Sequence, residues 1–347
     1  MPTFSRAVTL KAAIPGVLLL AASGLPLTAQ TSLTGAGATF PAPIYQKWFN
    51  DYQSVGNVQI NYQPNGSGGG IRAVTEGIVD FGASDMPLNN DQLKAFQDKH
   101  GFPVLLFPTV VGADVPTYNV PGVTELNFTP EALAGIFLGK ITMWNDPALA
   151  NANPGVKLPA DKIVVVHRSD ASGTTFCWTD YLSKVSPEWR SKVGKPNITV
   201  DWPTGIGGKG NDGVAGLIKQ EKGSLGYVEL IYAVKNHLPY GKVKNNAGEF
   251  VKADLQSVTA AAASMKSIPD DFRVSITDAP GKGAYPIATF TWLLVPQEFS
   301  DNGKQKAMAG FLGWALTTGQ GSVESLDYAK LPQHVVSKEQ QQIAQIK

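Results

Sequence analysis

Cysteine is almost absent from this sequence of 347 residues, since Cys177 is its only thiol and no intramolecular disulfide can form. A chain of this length buries enough apolar surface to be stable without one, and a lone cysteine is most often a small core residue. A catalytic thiol would need a histidine partner, and a metal site would need ligands at paired spacing. The four histidines are isolated along the chain, at His100, His167, His237 and His334. The sequence therefore predicts no cysteine enzyme, no metal centre and no cofactor.

A long apolar run is also missing, because a membrane-spanning helix needs roughly 20 such residues in succession. The most apolar stretch, residues 12–29, carries no charge but is interrupted by two prolines and two glycines. Arg6 and Lys11 precede it and a small residue ends it, which is the pattern of a secretory signal peptide. We expect residues 1–29 to be removed and the protein to work in the periplasm. No cysteine lies at the cleavage point, which favours a freely diffusing protein over a lipid-anchored one, and we expect a monomer.

The sequence also lacks an excess of basic charge. The chain has 29 basic and 28 acidic residues, and loss of Arg6 and Lys11 with the leader would leave about 27 basic residues and a net charge of about −1. Nucleic-acid binding is disfavoured, because that affinity comes from lysines and arginines clustered on one surface. An anionic ligand would have to be held by a local site.

Helix-like and strand-like segments alternate along the rest of the chain, which favours an α/β fold with mixed, mostly parallel sheets flanked by helices. The predicted strands are 58–62, 79–83, 102–111, 163–166 and 284–295, and the predicted helices begin at Pro41, Gly69, Pro130, Thr175, Gly213, Asp254 and Lys304. The strand 102–111 is expected to end at Gly112, with a crossover through Pro116 and Pro121.

A mature length of roughly 320 residues suggests two domains. We expect residues 30–110 and 286–347 to form one lobe and residues 111–285 to form the other. The apolar helix near the carboxyl terminus would return to complete the first lobe. The chain would then cross between the lobes twice.

Four segments place small hydroxyl or glycine residues where a strand or loop turns into a helix. They are Thr39-Phe40, Ser67 to Gly70, Ser172-Gly173-Thr174 and residues 207–213. Free backbone N–H groups and the positive end of the helix dipole make such a start an anion site without net charge. Each one alone is also an ordinary helix cap. Their number in one chain favours a shared anion site.

Two charged residues refine this hypothesis. Arg168 ends an apolar strand four residues before Ser172, which places a bidentate cationic donor beside a helix start and suits a tetrahedral oxyanion. Asp170 could hold that guanidinium in place. Asp85 follows the strand 79–83, and a carboxylate would repel a fully ionised anion but accept a hydrogen bond from one that keeps a proton. Phosphate keeps a proton near neutral pH and sulfate does not, so Asp85 predicts selectivity for phosphate.

The same segments resemble the periplasmic phosphate-binding proteins of bacterial phosphate ABC transporters. The resemblance rests on residues 33–41 (LTGAGATFP), 65–69 (NGSGG), 81–85 (FGASD), 168–174 (RSDASGT) and 202–213 (WPTGIGGKGNDG). It implies a two-lobed venus-flytrap fold that holds phosphate between the lobes and delivers it to the permease and ATPase subunits of a transporter. The implied ligand residues are Thr39, Phe40, Ser67, Asp85, Arg168, Ser172, Gly173 and Thr174, with Asp170 supporting Arg168.

The sequence differs from the family pattern at two positions, and two alternative functions stay open. Gly68 stands where many relatives have a second serine, and Ala171 stands where many have glycine; the first departure would remove one hydrogen bond. An extracytoplasmic hydrolase could use Ser172 as its nucleophile with His167 as base, although no nucleophile-elbow pattern is present. A binding protein for another oxyanion is the second alternative. The segment 205–213 lacks the GK[ST] ending of a P-loop.

Overall fold

The computed structural model describes residues 1–4 and 30–347. The predicted signal peptide falls almost entirely on residues 5–29, which lie outside these ranges, and it stays a prediction. Within the described ranges, no helix is both long enough and apolar enough to cross a membrane.

Strands and helices alternate as the sequence predicts. The strands are β1 (Thr31–Gly37), β2 (Val58–Gln63), β3 (Phe81–Ser84), β4 (Val104–Tyr118), β5 (Asn127–Phe128), β6 (Val164–Arg168), β7 (Ile206–Gly208), β8 (Ser224–Glu229), β9 (Lys242–Lys244), β10 (Phe250–Val251) and β11 (Ala288–Pro296). The α-helices are α1 (Ala42–Gly56), α2 (Ser67–Thr75), α3 (Asn90–His100), α4 (Pro130–Phe137), α5 (Pro147–Ala150), α6 (Gly173–Val185), α7 (Pro187–Lys192), α8 (Gly210–Gln220), α9 (Leu230–Lys235), α10 (Leu255–Ala263), α11 (Asn302–Ala315) and α12 (Gln333–Ile343). A 3₁₀ helix spans Gly319–Leu326.

The main sheet is mixed and has the strand order β2-β1-β3-β11-β4-β8-β6-β7. β1 pairs in parallel with β2 and β3, and β6 pairs in parallel with β7 and β8. β11 runs antiparallel between β3 and β4, and β4 is antiparallel to β8. A small sheet of β10, β9 and β5 lies apart from it. The predicted α/β class is confirmed.

The two lobes share the strand β4. Its first part, up to Ala113, pairs with β11, and its second part, from Asp114 to Tyr118, pairs with β8. We call the sheet on the β11 side, with its helices, the first lobe, and the sheet on the β8 side the second lobe.

The predicted end of this strand at Gly112 is wrong. All fifteen residues of β4 are buried, and the strand runs on through Pro116. A proline is tolerated in a strand where its missing N–H is not needed, and the Pro116 carbonyl accepts a hydrogen bond from the Gly241 N–H (2.9 Å). Continuous burial therefore outweighs the local signal of the prolines.

Helices from the beginning and the end of residues 31–347 pack together in the first lobe. α1 buries Tyr45, Trp48 and Phe49, and α11 packs against α1 and β1. The rings of Phe49 and Phe311 are 5.3 Å apart. Burial of such large aromatic side chains is the main stabilising contribution at this junction.

Candidate functional site

The predicted residues of the first lobe follow three neighbouring parallel strands. Thr39 and Phe40 come after β1, Ser67 begins α2 after β2, and Asp85 comes directly after β3. The carboxyl ends of parallel strands meet at one edge of a sheet, where open α/β folds bind their ligands. The order of the strands therefore brings these four residues to one edge.

The second lobe brings its residues to the same place from two further strands. Arg168 is the last residue of β6, and Ser172 caps α6 by accepting a hydrogen bond from the Thr175 N–H (3.1 Å). α8 begins at Gly210, separated by one residue from the end of β7. The prediction that this helix begins at Gly213 is wrong by three residues, because a glycine-rich helix start has little helical propensity of its own.

Arg168 is held in a fixed orientation. Its side chain is 1% exposed and forms a two-point ion pair with Asp170, with Nε to Oδ1 at 2.8 Å and Nη2 to Oδ2 at 2.5 Å. Its Nη1 donates to the Thr174 hydroxyl at 3.1 Å. Burial alone would raise the pKa of Asp170, but the hydrogen bonds and charge of Arg168 outweigh burial and lower it. This geometry is the one expected if Asp170 supports Arg168. Two of the five guanidinium N–H groups remain free for other partners.

Ser67 links the two lobes. Its hydroxyl accepts hydrogen bonds from the Asp85 N–H (3.2 Å) and the Gly173 N–H (3.0 Å). A β-carbon on Gly173 would lie 2.4 Å from the Ser67 hydroxyl and 2.6 Å from the Asp85 β-carbon. The close approach of the lobes therefore requires glycine at position 173.

Asp85 is a carboxylate buried among hydrogen-bond donors. It is 1% exposed, and its Oδ1 accepts a hydrogen bond from the Thr291 hydroxyl at 2.8 Å. Burial raises the pKa of Asp85 to about 7, although the Thr291 hydrogen bond and the charge of Arg168 pull it down. The group can therefore change its protonation state near neutral pH.

Thr39 and Phe40 contact the second lobe and the carboxyl-terminal part of the chain. The Thr39 hydroxyl accepts from Asn211 Nδ2 (2.9 Å), and the Thr39 carbonyl accepts from the Tyr232 hydroxyl (2.5 Å). The Phe40 carbonyl accepts from the Tyr328 hydroxyl (2.6 Å). Contacts across the lobes connect Thr39 with Thr174 through Asn211, and Ser67 with Asp85 and Gly173. Phe40 and Ser172 adjoin this cluster along the chain, but their described bonds go to Tyr328 and Thr175.

Sequence reasoning missed Asn211 and Thr291. Asn211 lies in the segment 202–213, but its side chain meets Thr39 only in the folded protein, across 172 positions. Thr291 is a polar residue in the mostly apolar strand β11. A polar residue at a buried position of this strand could have indicated a contact with the site.

The hydrolase alternative finds no support in this geometry. His167 stacks on Trp202, with ring centroids 5.0 Å apart, and its Nδ1 lies 3.0 Å from the Arg168 carbonyl. The Ser172 hydroxyl serves as a helix cap instead. Burial lowers the pKa of His167, which would suit a base, but the described contacts do not pair it with Ser172.

Known proteins resemble this chain over nearly its whole length. The sequence model of the PBP superfamily domain matches residues 26–318. The phosphate-binding protein PstS of Xylella fastidiosa (strain Temecula1) is 44% identical over 90% of this chain and 84% of its own length. The PstS protein of Pasteurella multocida (strain Pm70) is 43% identical over 94% of this chain and 93% of its own length.

Solved structures show the same fold at lower identity. The phosphate-bound periplasmic phosphate-binding protein PfluDING superposes with a TM-score of 0.76 at 19% identity, covering 90% of this chain and 93% of that protein. The phosphate-binding protein of Stenotrophomonas maltophilia gives a TM-score of 0.68 at 20% identity, with coverages of 90% and 93%. The resemblance found in the sequence is confirmed, and the chain belongs to the family of PstS phosphate-binding proteins.

Proposed function

We propose that this protein binds inorganic phosphate in the periplasm and delivers it to a membrane ABC permease for import. One observation carries the proposal: Thr39, Ser67 and Asp85 of the first lobe meet Arg168, Gly173 and Thr174 of the second in one buried cluster. The names of its relatives, phosphate-binding protein PstS, point to the same ligand.

The donors of the cluster favour an oxyanion. Arg168 supplies a permanent charge that Asp170 orients, and α6 begins at Gly173, where its N–H groups and dipole favour negative charge. Hydroxyls, amides and one guanidinium together can surround a tetrahedral anion without a metal ion. Ser172, Gly173 and Thr174 are proposed to contact it from the second lobe, and Thr39, Phe40 and Ser67 from the first.

Asp85 favours phosphate among the oxyanions. A phosphate ion that keeps one proton can donate it to this carboxylate, whereas sulfate would leave two negative charges facing each other in a buried site. The raised pKa of Asp85 reflects the cost of an unpaired charge there, and a proton-donating ligand would reduce that cost.

The proposed mechanism is hinge closure of two lobes, residues 30–110 with 286–347 and residues 111–285. The backbone bond from the Gly68 N–H to the Ala171 carbonyl (2.9 Å) and the Tyr232 bond to Thr39 support a closed form in which the lobes touch directly. Ligand that connects donors of both lobes would favour this form. The permease and its ATPase subunits would recognise it. We propose that the protein acts as a monomer, is secreted through the leader of residues 1–29, and performs no catalysis.

Calorimetric titration of the ligand-stripped protein with phosphate, and then with sulfate, at neutral pH tests the proposal. Tight binding of phosphate at a ratio of one to one, with no sulfate binding, is expected. Sulfate binding would favour the other oxyanion carriers, and binding of neither would overturn the function. Incubation with a chromogenic phosphate ester tests the alternative, since turnover that is lost in a Ser172→Ala variant would identify a hydrolase.

A further inference from the structure

Three hydroxyls of the cluster each accept hydrogen bonds from two protein donors. The Thr39 hydroxyl accepts from Asn211 N (3.3 Å) and Nδ2 (2.9 Å). The Thr174 hydroxyl accepts from Arg168 Nη1 (3.1 Å) and Asn211 Nδ2 (3.3 Å). The Ser67 hydroxyl accepts from two backbone N–H groups. A hydroxyl has two lone pairs and one proton, so Thr39 and Thr174 are left with only their protons to offer a ligand. The Ser67 hydroxyl also lies 3.5 Å from Asp85 Oδ2, to which it can donate.

The orientation of the Asn211 amide is fixed by the main chain. Its Oδ1 accepts the Glu229 N–H at 3.1 Å, and a backbone N–H can only donate. The amide nitrogen must therefore face the two threonine hydroxyls. Asn211 is fully buried, so water does not compete for these bonds.

We infer that Asn211 is a positioning residue that makes Thr39 and Thr174 obligatory donors toward the bound oxyanion. This inference rests on the proposed function and deepens it. A hydroxyl with free lone pairs could present oxygen to the ligand and repel it; a hydroxyl whose lone pairs are occupied cannot. Asn211 thereby sets the polarity of the site although it need not touch the anion.

The same bonds connect ligand recognition to closure. Thr39 belongs to the first lobe and Asn211 to the second, and the Ser67 hydroxyl likewise receives one of its two donors from Gly173 of the second lobe. The first-lobe hydroxyls are completed as donors only when the second lobe is in place. Closure thus changes what the first lobe presents to the anion.

Two substitutions separate this role from a packing role. Asn211→Asp keeps the oxygen that accepts the Glu229 N–H but replaces the donating nitrogen by an acceptor, so both threonine protons would turn toward it. Asn211→Ala removes the amide, so each threonine hydroxyl keeps one donor and regains one free lone pair. We expect phosphate affinity to fall about tenfold in Asn211→Ala, the effect of about one lost hydrogen bond, and at least about tenfold further in Asn211→Asp.

A Thr39→Val background controls for simple charge repulsion. If Asn211 acts through the hydroxyl, either Asn211 substitution should cost at least about threefold less affinity when Thr39 is already valine. An Asn211→Asp variant that binds as well as Asn211→Ala or better would overturn the inference, because packing alone favours the isosteric residue. A full Asn211→Asp penalty in the Thr39→Val background would also overturn it.

Two controls separate failure of this inference from failure of the proposed function. Circular dichroism and thermal unfolding without ligand check that each variant is folded. If Asn211→Asp does not fold, the cycle of Asn211→Ala with Thr39→Val decides alone, since additive losses contradict the inference. Failure of the unaltered protein to bind phosphate would instead overturn the proposed function itself.

Discussion

A β-carbon added to Gly68 would lie 2.4 Å from the methyl carbon of Ala171 on the other lobe. The two residues are also joined by the backbone bond from the Gly68 N–H to the Ala171 carbonyl. At both positions the resemblance to the family predicts a different residue, serine at 68 and glycine at 171. The residue at one position constrains the other, because the methyl group of Ala171 occupies the space that a side chain at position 68 would need.

The first prediction is that these positions are coupled. Gly68→Ser should weaken phosphate binding by about tenfold or more, since contacts this short must be relieved by shifting the lobes. Ala171→Gly alone should change affinity by less than about threefold. The double variant should return close to the unaltered affinity in a calorimetric titration. Losses that simply add would show that the two positions are independent.

The second prediction concerns selectivity. Asp85→Asn replaces an acceptor by a group that can also donate to a fully ionised oxyanion. Phosphate affinity should fall and sulfate binding should appear, which titrations with both anions at neutral pH would measure. Asp98→Asn is a matched control, because it makes the same change at an exposed carboxylate of α3; it should not admit sulfate. Unchanged selectivity in Asp85→Asn would exclude the proposed role of the carboxylate.

The third prediction follows from the raised pKa of Asp85, about 7 against an ordinary value of 3.8. Between these values the folded protein holds a proton that the unfolded chain has lost, so this group's contribution to stability falls as pH rises and is constant above about 7. Asp85→Asn lacks this titration. Without phosphate, the free energy of unfolding of the Asp85→Asn variant should therefore rise relative to that of the unaltered protein between pH 4 and pH 7. The expected rise is on the order of a few kcal/mol.

Urea unfolding in phosphate-free buffers at several pH values would measure this difference. Asp98→Asn is a suitable control because Asp98 is an exposed carboxylate on α3, and its stability difference should not follow the same trend. A difference between Asp85→Asn and the unaltered protein that does not change with pH would contradict the assignment.

The fourth prediction concerns the guanidinium. Arg168→Ala should reduce affinity for phosphate and arsenate by the same factor, corresponding to about 1.5 to 3 kcal/mol for a lost charged hydrogen bond. Its partner Asp170 would also lose its counter-ion, which adds repulsion toward any anion. Arg190→Ala, on the exposed surface of α7, is the matched control and should leave binding unchanged. No loss in Arg168→Ala would place Arg168 outside the site.

The sequence was most informative where function depends on short segments. Thr39, Ser67, Arg168 and Ser172 each stand at the junction of a strand and a helix, and these local patterns, together with the resemblance, indicated them. Asn211 and Thr291 escaped because their contacts join residues 172 and 206 positions apart. Pro116 was misread as a crossover because its local signal says nothing about the burial of both faces of β4.

The position of β11 has a consequence for the order in which the protein can fold. This strand fills the place between β3 and β4, and its register pairs Ala288 with Ala113. A chain that grows from its amino terminus makes β3 and β4 early but leaves their facing edges unpaired until residue 288 has been added. Contacts so distant in sequence form slowly. The central sheet can therefore close only after most of the chain has been made, and the second lobe can form first.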